Sequence, residues 1–113
     1  MGGLARAVAP LRVTPALQLD ITDQAEQHIL AATAWWSQHR PAAPGAVLED
    51  LDHTLELLRV QPELGTRARK AKLAGVRRVT LPRIRYVLYY RVIGDVLHVL
   101  ALWHASRGAG PML

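Results

Sequence analysis

The sequence predicts an α+β fold in which an antiparallel helix hairpin packs on one face of an antiparallel sheet. Three observations lead there. Apolar residues recur at helical spacing in two segments, 23–39 and 44–60, parted by Pro41, Pro44 and Gly45. After Gly75 the apolar period drops from helical to alternating. The breaks beyond that point are short, Pro82-Arg83 and Ile93-Gly94-Asp95, as reversals between neighbouring strands require. At 113 residues the chain makes one domain.

Residues 1–16 contain Pro10 and Pro15 and hold no sustained period, so they read as an irregular extension. Leu17 to Ile21 alternates and predicts a short strand. Thr22 or Asp23 then offers a helix cap, and Asp23 followed by Glu26 fits the reciprocal capping pattern. Ala25, Ile29, Ala32 and Trp36 form one apolar stripe, with Trp35 beside it. Pro41 stops this helix, and Pro44 is placed to open the next at its first turn. Val47, Leu48, Leu51, Leu55 and Leu58 mark the second stripe. Glu49, Asp50, Asp52, Glu56 and Arg59 are expected mainly on the outer arc, and Pro62 and Gly65 end the helix.

Val76 to Leu81 reads as a strand with Arg77, Val79 and Leu81 on one side. In 84–93, Ile84, Tyr86, Leu88, Tyr90 and Val92 alternate with Arg85, Val87, Tyr89 and Arg91. The first set suits the core, which places Tyr89 outside, beside Arg85 and Arg91. Val96 to Trp103 is almost continuously apolar and predicts an interior strand over 96–103. The expected order is β-α-α-β-β-β over residues 17–108, with 109–113 as a tail. The helices cover one face, and the other is left to arginines, tyrosines and a partner.

Charge divides unevenly. Residues 1–63 carry a net charge of −4 and residues 64–113 a net charge of +9, and nine of the fourteen Lys and Arg lie between Arg67 and Arg91. A field that strong points to an acidic partner, either nucleic acid or protein. The chain has no cysteine, which excludes disulfides, iron–sulfur clusters and thiolate nucleophiles. His28, His39, His53, His98 and His104 show no metal-ligand spacing, and no phosphate-cradling glycine loop follows a strand. Neither a metal nor a cofactor is expected. No run approaches a membrane span, and the N-terminus makes a poor signal peptide, so a cytoplasmic protein is expected.

Several segments in fixed order carry a family pattern: Ile21-Thr22-Asp23-Gln24-Ala25-Glu26, then Leu57-Leu58 with Pro62 and Gly65, and Leu73-Ala74-Gly75-Val76-Arg77-Arg78. Arg85-Tyr86-Val87-Leu88-Tyr89-Tyr90-Arg91-Val92 and Leu102-Trp103-His104-Ala105-Ser106-Arg107 follow. Together, across 17–108, they resemble the RelE/ParE superfamily of bacterial toxins from type II toxin–antitoxin pairs, and look closer to the ParE branch. The resemblance implies a RelE/ParE-like fold and a growth-inhibiting toxin neutralised by a cognate antitoxin. For the ParE-like branch it implies DNA gyrase as target. For the RelE-like branch it implies cleavage of messenger RNA on the ribosome. An inactive relative would bind only its antitoxin and, through that complex, operator DNA.

The two branches ask for different residues. Metal-free RNA cleavage needs a base, a cation for the developing phosphorane charge and an acid. The resemblance assigns these roles to His104, Arg78 and Arg85, with Glu63 where some nucleases place an acidic base. Ala105 departs from the pattern, because nuclease members carry a tyrosine there, and a methyl group can neither stack nor move a proton. A binding toxin needs no such chemistry. Its candidate contacts with target or antitoxin are Arg67, Arg69, Lys70, Lys72, Arg77, Arg83, Tyr89, Arg91, Arg107 and Trp35. Adjacent Arg77 and Arg78 face opposite ways in a strand, so only one can join a site on the open face. Whether the chain is an enzyme stays open at this level.

Overall fold

The computed structural model describes residues 16–106 and 110–113. Of the extension expected over 1–16 only Ala16 is described, and residues 1–15 and Arg107 lie outside the described residues. The elements are β1 (Gln18–Ile21), α1 (Asp23–His39), α2 (Ala46–Val60), a 3-10 turn (Pro62–Leu64), β2 (Thr66–Arg67), β3 (Arg77–Thr80), β4 (Tyr86–Ile93) and β5 (Val96–His104). One sheet runs in the order β1-β5-β4-β3-β2. The helix hairpin and the α+β class stand as the sequence predicts. The sheet is mixed, because β1 pairs parallel to β5 while the other neighbours are antiparallel. The two-residue β2 has no counterpart in the sequence pattern, being too short to show a period.

Thr22, not Asp23, is the N-cap of α1. Its hydroxyl accepts from the Ala25 N–H at 3.2 Å and donates to the Val99 carbonyl at 2.9 Å. One side chain thus starts the helix and fastens it to β5. Glu26 falls one position too late for the reciprocal cap. Ala25, Ile29 and Ala32 turn inward, and small alanines let the helix approach the sheet closely. At α2 the cap is Gly45, so Pro44 sits just outside the helix and does not open it.

Two residues of α2 exchange their expected places. Leu48 is exposed, whereas Asp50 is 6% exposed and faces inward. Its Oδ2 accepts the backbone N–H groups of Arg83 at 2.8 Å and Ile84 at 2.9 Å. The carboxylate satisfies two donors that the turn would otherwise bury unpaired. That turn displaces the start of the next strand. Ile84, expected in it, is buried in the Pro82–Ile84 turn, and β4 begins at Tyr86.

The main core lies between the helices and the sheet, where Leu51, Leu55 and Leu58 meet Tyr86, Leu88, Tyr90, Leu97 and Val99. Tyr90 is fully buried and binds the helix exit. Its hydroxyl donates to the Pro62 carbonyl at 2.6 Å and accepts from the Gly65 N–H at 2.9 Å. A Cβ on Gly65 would lie 2.5 Å from that hydroxyl and 2.8 Å from the Arg78 carbonyl, so no larger residue fits. Burial, the largest influence, pushes the Tyr90 phenol above its ordinary value of 10.0. The Gly65 hydrogen bond and Arg77 oppose the rise, and Glu63 adds to it.

The folded chain therefore holds this proton more tightly than the unfolded chain. The stability linked to it is intact below pH 10.0 and is lost as pH climbs through the raised folded value. Tyr90→Phe is expected to cost about 1–3 kcal/mol at neutral pH, because it orphans the Gly65 N–H, and to reduce the alkaline loss. Urea unfolding at neutral pH and again above pH 10 checks both. An unchanged midpoint at neutral pH contradicts the role given to the hydroxyl.

The second face of the sheet is not bare. Val76, Val87, Tyr89, Leu100 and Ala101 form a smaller apolar cluster, with Ala68, Ala71, Trp103 and Leu113 packed against it. A bulge creates it. Tyr89 pairs with Ala101 and Tyr90 with Val99, which leaves Leu100 as the extra residue of β5. The alternation shifts there, so Leu97, Val99 and Leu102 reach the main core while Leu100 and Ala101 both reach the other face. Among the described residues, no helix is long and apolar enough to cross a membrane.

Candidate functional site

β2, the following 68–73 loop, Arg78 of β3 and the 110–113 segment enclose a cleft of about 830 Å³ on the face away from the helices. Arg67, Arg69, Lys70, Lys72 and Arg78 line it, and no Asp or Glu does. Short apolar anchors explain this display. Ala68 and Ala71 pack downward on the small cluster, while the cations between and beside them stay exposed. Ala68 N–H also donates to the Val76 carbonyl at 2.9 Å, which fixes the loop to the start of β3.

Tyr89 lies on this face but is not outside. It is 7% exposed, with the Arg78 guanidinium 5.7 Å from its ring centre. The expectation of an open tyrosine beside Arg85 and Arg91 is corrected on that point. The 68–71 loop and the C-terminal segment cover it, and neither cover shows in a period-2 pattern.

Arg77 and Arg78 part company as strand geometry requires. Arg78 joins the cleft, whereas Arg77 donates to the Gly65 carbonyl at 2.7 Å inside the fold. Arg91 Nη1 reaches the Ala74 carbonyl at 3.3 Å. Arg83 makes an exposed ion pair with Glu49 at 2.7 Å. Glu63 is exposed in the 3-10 turn.

Arg85 is exposed between the Pro82–Ile84 turn and β4. Its φ of 65° is the only positive one at a non-glycine among the described residues. Such a backbone is uncommon outside glycine, Asn and Asp.

His104 sits elsewhere. It pairs with Tyr86 across the sheet, and the two rings meet edge-on at 5.0 Å. Tyr86 belongs to the helix-side core, so His104 is on that side too. With His28, Ala31, Ala32, Trp35 and Leu102 they line a separate notch of about 390 Å³. His104 Nδ1 accepts from the Ser106 N–H at 3.1 Å and lies 2.7 Å from the Ser106 hydroxyl oxygen. Trp35 stacks on His39 at 4.3 Å and is partly exposed at the notch.

His104 and Arg78 thus lie on opposite faces of the sheet. The five cleft cations come together, and Arg77, Arg83 and Arg91 do not join them. Among the described residues, no group of three or more His, Asp or Glu is placed to hold a metal ion.

Sequence reading missed Asp50 and the 110–113 segment. Asp50 carried a usable signal, since it lies on the stripe defined by Val47, Leu51 and Leu58, where an outward acid does not belong.

The fold is shared with a solved chain described as "Chromosomal ParDE TA system from P. aeruginosa". The TM-score is 0.64 at 21% identity, covering 79% of this chain and 96% of that one. No curated protein matches the chain in sequence. The family described as "ParE toxin of type II toxin-antitoxin system, parDE" matches residues 19–108. That span runs from β1 past the end of β5 and takes in both helices and the cationic loop. The chain belongs to the ParE toxin family of type II toxin–antitoxin systems.

Proposed function

We propose that this protein inhibits growth by binding DNA gyrase through its cationic sheet face, and that a cognate antitoxin neutralises it in the cytoplasm. The observation that carries the reading is that the cation cluster, Arg78 included, gathers on the sheet face opposite His104, which leaves Arg85 as the one candidate cation at the His104 end, where its carbonyl accepts the Ala105 N–H at 3.4 Å. A positioned proton-transfer group must reach the same reacting phosphate as the cation that stabilises it. A binding toxin has no such requirement and needs only a contiguous charged surface. Arg67, Arg69, Lys70, Lys72 and Arg78 supply one.

His104→Ala is therefore expected to keep most growth-inhibiting activity. The assay is growth after induction in cells without antitoxin, with the folded amount checked in the same cells. Complete loss of toxicity at equal folded protein, with loss of ribosomal A-site cuts made by the parent, overturns the reading. A positioned acid or base usually contributes about 10²–10⁴-fold, so the two outcomes are well separated.

The antitoxin is assigned to the helix hairpin and a sheet edge. Exposed Leu30, Leu48, Leu57 and Val60 offer apolar contact there, and its anionic groups lie toward the 67–91 cations. Apolar burial gives such a complex its affinity, while charge pairing speeds encounter. The association rate of the complex is expected to fall as salt is added. A salt-independent rate contradicts the electrostatic part. Operator DNA is contacted through that complex.

A further inference from the structure

We propose that the cationic cleft is a receptor for an extended acidic peptide segment of a partner protein, and that residues 110–113 are its resident competitor. This rests on the cationic face being the contact surface and adds the chemistry of what that face recognises.

The 110–113 segment already docks as a peptide. Its Leu113 side chain packs on the apolar cluster of the open face. Its Leu113 backbone oxygen accepts two N–H groups of the cationic loop, from Lys72 at 2.6 Å and Leu73 at 3.3 Å. Gly110 lies so close to Tyr89 that a Cβ there would be 2.6 Å from the hydroxyl. Three anchors over four residues define a path for an extended chain, with an apolar seat at one end and a small residue at the other.

The resident segment satisfies only part of the site. Gly110-Pro111-Met112-Leu113 carries no acidic side chain, and among the described residues no Asp or Glu lines the cleft, so the five cations over the path face no side-chain carboxylate there. An extended segment that keeps an apolar residue on the Leu113 seat and adds carboxylates along its length fits both halves. Arginine forks in particular take carboxylates in paired hydrogen bonds.

A nucleic-acid strand fits less well. Single-strand binding draws on open aromatic faces for base stacking. The aromatic ring lining the cleft, Tyr89, is buried, with Arg78 over it and Gly110 at its hydroxyl.

A tethered competitor acts at an effective concentration of roughly millimolar, so loosening it is expected to raise the affinity of an outside peptide at least tenfold. The test uses purified full-length protein and a fluorescein-labelled decapeptide alternating Glu and Leu. Its Lys-and-Leu counterpart and a short single-stranded DNA serve as the other probes. Gly110→Ala pushes the segment off Tyr89, and deletion of 110–113 removes it. If the deletion does not fold, Gly110→Ala carries the test alone.

The expected result is tighter binding of the Glu-and-Leu peptide to both variants than to the parent, abolished by Arg67→Glu with Lys72→Glu in the Gly110→Ala background. Equal affinity for parent and variants overturns the proposal. So does equal binding of the lysine peptide, or tighter binding of the DNA. The assay contains no gyrase. A protein that inhibits gyrase yet fails here sinks this proposal alone, and one that binds the peptide yet leaves gyrase untouched sinks the gyrase reading alone.

Discussion

Asp50→Ala is expected to lower the unfolding free energy by about 2–4 kcal/mol, the cost of leaving one buried and one part-buried backbone donor without their acceptor. The Arg83 and Ile84 N–H groups both end on Asp50 Oδ2, the first part-buried and the second buried. A domain of this size has roughly 5–15 kcal/mol in total, so the variant loses a large share of its stability. Glu49→Ala, which removes only the exposed partner of Arg83, is expected to cost about 0–1 kcal/mol. Asp50→Asn keeps a side-chain oxygen and is expected to fall between the two. Urea unfolding followed by tryptophan fluorescence ranks the three. An Asp50→Ala midpoint equal to that of Glu49→Ala removes the carboxylate from the account of how helix and sheet are joined.

Reversing charge on the open face is expected to have the largest functional effect. Arg67→Glu combined with Lys72→Glu changes the local charge by four units within one cleft. Both side chains are exposed, so the fold is expected to stand. Steering by a charged face contributes about 10–10³-fold to an association rate, and its reversal turns attraction into repulsion. Growth arrest after induction is therefore expected to disappear at equal folded protein. Arg83→Gln removes a cation from the same stretch of sequence but from the Glu49 pair on the helix side, and is expected to leave growth arrest intact. Persistence of arrest in the double variant, or its loss in Arg83→Gln, detaches toxicity from the cleft.

These residues also show what the sequence makes legible. The change of period after Gly75 locates the hairpin and the long strands to within two residues, because one-sided burial imprints directly on spacing. Alternation puts Arg77 and Arg78 on opposite faces but does not say which is open: Arg77, expected as a binding contact, turns to the Gly65 carbonyl, and Arg78, given a nuclease role, lines the cleft. Three features escape that logic. The Leu100 bulge shifts alternation within an apolar run, where both phases look alike. Asp50 faces inward to serve backbone donors thirty-three residues away, a debt visible only once the turn is folded. The 110–113 segment docks through backbone groups and a glycine contact, which leave no period at all. The cationic cluster was legible as composition, but its division between open face and helix side needed the strand register.

The central claim, that this ParE-family chain acts by binding gyrase and not by cutting RNA, is tested most directly by DNA supercoiling with purified gyrase. Parent, His104→Ala and the Arg67→Glu, Lys72→Glu variant are compared at equal folded concentration. The account predicts inhibition by the parent, equal inhibition by His104→Ala and none by the double variant. Undisturbed supercoiling by a parent that still arrests growth, with A-site cleavage that depends on His104, contradicts it.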